Sequence, residues 1–307
     1  MNYKQKNINP VIHEFDQLGI INKKKLIEIS KTTRDKKIRV YQEQKSGVVL
    51  IEKYLTNLKY YSETKAKNKQ SNKHDSKFSY TKIKNRKYVK TANLHDDIRR
   101  NLSFSYLMKN KSILDYGCGW GSFLQLGKNI AKKLSGVEIR KNCIDYITKK
   151  NNFINLKTNL ENFDEKFDLI TAFHVLEHLP NQVGSLLAMR KKLNPNGKLI
   201  IEVPSAHDLL LQINELKEFK KFTFWSEHLV LHTKSSLNQV LIKAGFKKIK
   251  ISFIQRYDLN NHIGWLTKKK PGGHDFYKSL FKKKDNDAYR EFLMKIEKTD
   301  TLIAIAK

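Results

Sequence analysis

From residue 111 onward the hydrophobic positions fall in short runs separated by longer mixed stretches. Ser112-Ile113-Leu114, Leu134 to Ile139, Phe167 to Phe173 and Lys198 to Val203 each fit a strand buried in a sheet. Helix-length segments lie between them, an alternation that predicts a parallel sheet with crossover helices. Further strands are predicted at Lys248 to Phe253 and at Thr301 to Ala306, with an apolar helix over Ser236 to Ala244. The stretch 256–300 between the last two strands is rich in aromatic, Lys and Gly residues. It is too long for an ordinary connection and reads as a lid or binding loop. The first sixty residues have a different texture. Ile38-Arg39-Val40-Tyr41 and Val48-Val49-Leu50-Ile51 flank Lys45-Ser46-Gly47, the pattern of a hairpin with a glycine turn. Residues 62–92 are mostly Lys, Asn, Ser and Gln and read as a solvated linker or exposed helix. The predicted division is an N-terminal extension over 1–92 and a larger α/β domain over 93–307.

Composition narrows the class. The chain has 307 residues, of which 39% are hydrophobic, enough for a sizeable core, and its 13 Gly and 5 Pro exclude collagen-like and low-complexity architectures. No apolar run approaches the roughly 18 residues of a membrane helix, and Met1 to Phe15 has no signal-peptide core, so a cytoplasmic location is expected. The formal net charge is +30, which suits a nucleic-acid partner. The excess is Lys-dominated, however: only Arg34, Arg39, Arg86, Arg99, Arg100, Arg140, Arg190, Arg256 and Arg290 supply the guanidinium favoured for bidentate phosphate and base recognition. General compositional bias toward Lys accounts for the charge as well as a nucleic-acid site does. Two cysteines, Cys118 and Cys143, build neither a disulfide framework nor a cysteine zinc site. No metal is expected, and no pattern speaks to oligomeric state.

The chemistry concentrates in Ile113-Leu114-Asp115-Tyr116-Gly117-Cys118-Gly119-Trp120-Gly121-Ser122-Phe123. A strand enters an acidic residue, three alternating glycines follow, and an apolar helix begins. Glycine permits a tight turn and close approach of a ligand to the backbone, and the helix start offers free N–H groups. The spacing is Gly-x-Gly-x-Gly, where a dinucleotide fingerprint has Gly-x-Gly-x-x-Gly. An acidic residue just ahead of the first glycine suits an ammonium group better than a pyrophosphate. The next strand ends in Glu138, where a carboxylate can accept both hydroxyls of a ribose. Asp115 and Glu138 together suit a ligand with a ribose, a positive charge and no phosphate, which describes S-adenosylmethionine.

With these residues the sequence resembles the class I S-adenosylmethionine-dependent methyltransferases over roughly residues 90–307. The resemblance is carried by Leu114 to Gly121, by Val137-Glu138, by Phe167 to Leu179 and by Leu193-Asn194-Pro195-Asn196-Gly197-Lys198-Leu199, in the family's order. It implies a doubly wound, mostly parallel seven-stranded Rossmann-like sheet, here with a small N-terminal α+β extension and an insertion before the last strand. It implies that Gly117, Gly119 and Gly121 wrap the methionine part of the cofactor, that Asp115 anchors its amino end and that Glu138 holds the ribose. Asn159 and Leu160 fall where the family contacts adenine, and Phe173 and His174 fall beside the sulfonium. The pieces Phe224-Trp225-Ser226-Glu227-His228-Leu229 and Gln255-Arg256-Tyr257 are similar to a bacterial subgroup associated with glycan or cell-surface precursors. Some of those relatives carry an N-terminal zinc module, which the lack of any cysteine before Cys118 removes here.

For methyl transfer the protein must align nucleophile, methyl and sulfur and exclude water; a base is needed only if the acceptor must lose a proton. Candidates are His228 beside Glu227, with His174 and His178 as further possibilities; Glu177-His178 also reads as a loop cap. Trp225, Arg256, Tyr257 and His262 are candidate acceptor contacts, or the core of an ordinary subdomain. A small-molecule or carbohydrate acceptor is the leading expectation. RNA methylation is an alternative raised by the charge, and a non-catalytic cofactor-binding scaffold is another.

Overall fold

The computed structural model describes residues 7–55, 80–83, 86–89, 94–277 and 280–307. The predicted linker over 62–92 lies outside them, apart from an antiparallel pair formed by β4 (Tyr80–Ile83) and β5 (Arg86–Val89). The predicted α/β alternation is present. A seven-stranded sheet runs in the order β12 (Ile249–Ile254), β13 (Thr301–Ala306), β10 (Leu193–Pro204), β9 (Phe167–Phe173), β6 (Ser112–Tyr116), β7 (Lys133–Val137), β8 (Asn155–Lys157). β6 is parallel to both β7 and β9, and β7 is parallel to β8. The chain's final strand, β13, is antiparallel to β12. This is the Rossmann-like methyltransferase arrangement, a mostly parallel sheet with one reversed strand.

The chain divides into two compact units, and the division passes through β10. One contains the described residues of 56–173 together with 188–200 and Lys307. Its helices are α2 (Leu94–Met108), α3 (Ser122–Leu126) and α4 (Lys141–Lys150). Ile113, Leu114, Leu124, Ile147, Phe167 and Ile170 are fully or almost fully buried there. Each such side chain contributes about 1.5–3 kcal/mol by leaving water, which explains why the strands read as unbroken apolar runs.

The other unit contains residues 7–55 of the described chain, 174–187 and 201–306. Here β1 (Leu26–Ser30), β2 (Val40–Glu43), β3 (Val49–Ile51) and β11 (Val230–Leu231) make a four-stranded sheet in that order. The hairpin around Gly47 is as predicted: β2 pairs antiparallel with β3, and Gly47 has φ +72°. β1 escaped the sequence pattern because it buries neither face, with Ile27 43% exposed. β11 escaped it because it has two residues. The stretch 256–300 is mainly helical: α8 (Leu259–Lys268), the short α9 (Gly273–Phe276) and α10 (Lys283–Lys295). Asp258 starts α8 by accepting the Asn261 N–H at 2.9 Å. Gly272, at φ +102°, breaks the stretch between the first two of these helices.

Asn9 fastens the N-terminal strands to β11's approach. It is fully buried; its side-chain amide donates to the carbonyls of Ile51 at 2.9 Å and Leu229 at 2.7 Å, and its Oδ1 accepts the Val11 N–H at 3.0 Å. It thereby caps α1 (Pro10–Gln17), whose Glu14 carboxylate accepts the Gln182 and Val183 N–H groups at the start of α5 (Gln182–Lys191) at 3.0 and 2.9 Å. Asn9→Ala removes these partners from the Ile51 carbonyl and the Val11 N–H and leaves the Leu229 carbonyl only the Ile51 N–H at 3.4 Å; it is expected to lower stability by about 1–3 kcal/mol in urea denaturation. A loss under about 0.5 kcal/mol would show that Asn9 does not carry this junction.

Candidate active site

β6 delivers Asp115 and turns into the glycine loop. Gly117, Gly119 and Gly121 all have positive φ, at +77°, +55° and +72°, the left-handed region that L side chains rarely adopt. The N–H groups of Gly117 and Cys118 both donate to the Val137 carbonyl at 2.8 and 3.0 Å, which pins the loop to the end of β7. The three glycines differ in surroundings. A Cβ on Gly121 would press against Ile154 and Ile147 at 3.2 and 3.3 Å, whereas on Gly119 it would meet only the Arg140 guanidinium at 3.3 Å. Gly121 thus serves packing as well as the turn, and Gly119 is the position with a polar neighbour.

Both predicted carboxylates are buried, each 4% exposed. Asp115 accepts the Thr171 hydroxyl at 2.6 Å. Burial pushes its pKa up to about 7, with the Thr171 bond acting in the opposite direction. Glu138 has its oxygens occupied from within the chain. Oε2 accepts the Gly119 N–H at 2.8 Å and Arg140 Nη2 at 2.9 Å; Oε1 accepts the N–H groups of Ile139 and Arg140, each at 2.9 Å, and Arg140 Nε at 3.1 Å. The Arg140 pair is two-pronged, and its guanidinium side is 41% exposed. Asn159 caps a single turn, Leu160–Asn162, and Leu160 is buried. Phe173 ends β9 and is 9% exposed. Phe104 stacks on it at 6.3 Å, Phe123 meets it edge-on at 5.0 Å, and the Arg100 guanidinium lies 4.6 Å from its ring centre. Its ring faces are largely taken up by the protein.

His174 follows directly, in the left-handed region at φ +55°. Non-glycine residues are held there only where surrounding bonds over-determine the backbone. Here the His174 N–H donates to the Glu202 carbonyl at 2.8 Å, Nδ1 lies 3.1 Å from Glu177, and Nε2 lies 3.2 Å from Glu202 and 3.1 Å from Arg256 Nη1. Burial and Arg256 disfavour its cation, but Glu177 and Glu202 outweigh them and its pKa is raised. Glu177 is held down to about 2: burial works against its charge, and His174 and His178 overcome it.

The remaining predicted residues divide. Glu177, His178 and His228 cluster, and Trp225 stands edge-on to His228 at 5.3 Å and to His178 at 6.2 Å. Burial, then the neighbouring His178, pushes the His228 pKa down to about 3. His228 is held neutral and, at that value, is a weak base near neutral pH. The group beside it is Glu177; Glu227 meets His178 through its backbone carbonyl, 2.9 Å from Nδ1. Arg256 pairs with Asp300, and the Tyr257 side chain is 48% exposed. His262 is 2% exposed, with Nδ1 2.8 Å from the Tyr289 hydroxyl and Nε2 3.1 Å from the Gln255 amide. Both its nitrogens are committed inside the protein, the subdomain-core alternative. Sequence reasoning missed Arg140, Thr171, Arg100 and Glu202. Glu202 had a signal, a lone carboxylate inside the apolar run Leu199 to Val203.

The buried carboxylate at the end of β6, the left-handed loop and the carboxylate after β7 lie together in one unit of the fold. A family model described as a methyltransferase domain matches residues 86–251, more than half of the chain, and the chain belongs to that family. Among curated proteins it is similar to a ubiquinone biosynthesis O-methyltransferase of Hydrogenovibrio crunogenus, 27% identical over 99 residues, covering 29% of this chain and 41% of that protein. It is also similar to a tRNA U34 carboxymethyltransferase of Aliarcobacter butzleri, 25% identical over 168 residues, covering 50% of this chain and 54% of that protein. The matches thus span about half or less of these relatives' length. Among solved structures, a SAM-dependent methyltransferase from Archaeoglobus fulgidus aligns with TM-score 0.49 at 21% identity over 70% of this chain and 94% of that one.

The residues present fit the cofactor on one condition. Were Glu138 to accept the hydroxyls of the cofactor's ribose, as the resemblance implies, the Arg140 guanidinium that now pairs with it would have to yield. Glu138→Ala is expected to weaken S-adenosylmethionine binding by about 10- to 100-fold, the equivalent of 1–3 kcal/mol. Arg140→Ala is expected to tighten it by about 2- to 10-fold, since one charge-assisted competitor for the carboxylate is removed. Calorimetry in which Arg140→Ala binds equally or more weakly would mean that the guanidinium does not compete with the ribose.

Proposed function

We propose that the chain transfers the methyl group of S-adenosylmethionine to a small polar acceptor, a sugar or glycan precursor. The observation that carries this reading is the compensation of charge around His174. Arg256 is paired with Asp300, and His174 lies between Glu177 and Glu202. A phosphate-reading surface presents cations that counterions leave on binding; here Arg256 already has the buried carboxylate of Asp300, and His174 those of Glu177 and Glu202. Half-buried Trp225 and exposed Tyr257 add aromatic faces beside these polar groups, a mixture suited to a small ligand. The resemblance of one curated relative, named for an O-methylation step in ubiquinone biosynthesis, supports a small acceptor.

In this reading Asp115, Gly117, Gly119, Gly121, Glu138, Asn159, Leu160 and Phe173 hold the cofactor, which supplies a methyl group already activated on a positively charged sulfur. The protein's own work is to orient the acceptor and keep water out. His174, with Arg256 and Tyr257, takes the acceptor's polar group, and the helical stretch 256–300 serves as the acceptor-binding insertion of a catalytic domain spanning 93–307. His174, whose Nε2 would exchange its contacts with Glu202 and Arg256 for the acceptor, is assigned the acceptor's proton in place of the weakly basic His228. RNA methylation is the second reading. It is favoured by the net charge of +30 and by the half-chain similarity to a protein named for a tRNA modification. No helix among the described residues is long and apolar enough to cross a membrane.

Incubating the enzyme and labelled S-adenosylmethionine with fractionated cell extract is expected to label a low-mass polar product, identified by mass spectrometry. Label confined to RNA would overturn the small-acceptor reading. On the identified acceptor, His174→Ala is expected to lower kcat about 100- to 10,000-fold with S-adenosylmethionine affinity nearly unchanged. An unchanged kcat would remove His174 from the chemistry.

A further inference from the structure

Two Glu-His pairs, Glu177-His178 and Glu227-His228, are brought together in one unit of the fold. The first lies on the single turn Leu176–His178 after β9; the second lies on the segment that leads into β11. The Leu229 N–H donates to the Glu177 carbonyl at 2.8 Å, and His178 Nδ1 lies 2.9 Å from the Glu227 carbonyl, joining residues 49 positions apart. One donor atom from each of Glu177, His178 and His228 lies within 4.8 Å of those from the other two.

The bonding inside this cluster is unbalanced. Glu177 is fully buried; its Oε1 pairs with His174, while its Oε2 has no hydrogen-bond partner among the described residues. His228 Nδ1 is enclosed and also without a hydrogen-bond partner there. Buried acceptors are normally satisfied, and a pair left open side by side calls for a ligand. His178 supplies the third donor. Its Nδ1 faces a carbonyl, so that nitrogen carries the proton and Nε2 carries the lone pair, which is how a metal-bound imidazole is oriented. The two imidazole rings stand 4.9 Å apart at 72°. His228 also borders a small apolar cavity lined by Val49, Ile51, Phe224 and Leu231, which keeps the surroundings dry.

We propose that Glu177, His178 and His228 form a binding site for a divalent transition metal of the zinc class. Two imidazole nitrogens with one carboxylate oxygen favour zinc, cobalt or ferrous iron over the oxygen-seeking magnesium and calcium. Three protein ligands leave an open position for water or a ligand oxygen. In a tetrahedral site with bonds near 2.1 Å the donor atoms stand about 3.4 Å apart, so the side chains close inward on binding. The lack of cysteines before Cys118 hid this site from the sequence, because its ligands come from two distant segments. The proposal shares Glu177 with the acceptor assignment, through its bond to His174, but its test reads metal binding alone.

The test uses the full chain stripped with chelator and titrated with Co²⁺, then with Zn²⁺ in competition. The expected result is one equivalent per chain and a visible cobalt absorption band of nitrogen–oxygen coordination, abolished by zinc. His178→Ala and His228→Phe, the latter keeping a ring against Trp225, are expected to weaken binding at least tenfold, while the exposed His13→Ala leaves it unchanged. Circular dichroism monitors the fold of each variant. No band in the wild-type chain would overturn the proposal, as would equal binding by both ligand variants.

Discussion

The carboxyl group of Asp115 lies where an ionised carboxylate is poorly tolerated: it is 4% exposed and accepts the hydroxyl of Thr171. The parallel register puts it there. Asp115 is opposite Gly136 on β7 and Thr171 on β9. Gly136 is needed because a Cβ would stand 2.6 Å from Cys118 Sγ, so only glycine lets the loop fold back over the strand end. The loop then spends its N–H groups on the Val137 carbonyl and the Glu138 carboxylate. Both carboxylates and the loop between them are therefore fixed by the meeting of three parallel strands, with the charge of Asp115 disfavoured until a cation arrives.

That geometry was legible in the sequence because glycine spacing and strand-end acids report backbone conformation and ligand charge directly. Asp115, the three glycines and Glu138 all occur where their residue types imply. Arg140 was not legible as a partner of Glu138, since a charged residue three positions past a strand usually faces water. The apolar strands were read to within a few residues because burial on both faces leaves a continuous run. β1, with no buried face, and the two-residue β11 had no pattern to read. The helices in 256–300 were masked by Lys-rich outer faces and by the Gly272-Gly273 break.

The histidines show the opposite case. His228 beside Glu227 suggested an acid-oriented base, but chain neighbours need not be spatial partners. The fold turns His228 toward Glu177 and His178 instead, and burial weakens it as a base. His174 has the carboxylates, Glu177 and Glu202, and only the second comes from a different strand. The net charge of +30 likewise says little about His174 and Arg256, which are paired with buried carboxylates.

The central claim is that Asp115 becomes charged when the cofactor's amino group arrives. A carboxyl raised to about 7 stabilises the empty chain while protonated, and that contribution is lost as pH rises from its ordinary range through about 7. Pairing with a cation lowers its pKa, so cofactor binding below that value must expel a proton. The direct measurement is calorimetric affinity for S-adenosylmethionine between pH 5.5 and 8.5, for the wild-type chain and for Asp115→Asn. The account predicts affinity that falls by up to about tenfold per pH unit below 7 in the wild type and stays flat in the variant. Affinity independent of pH in the wild type, or the same slope in Asp115→Asn, would contradict it.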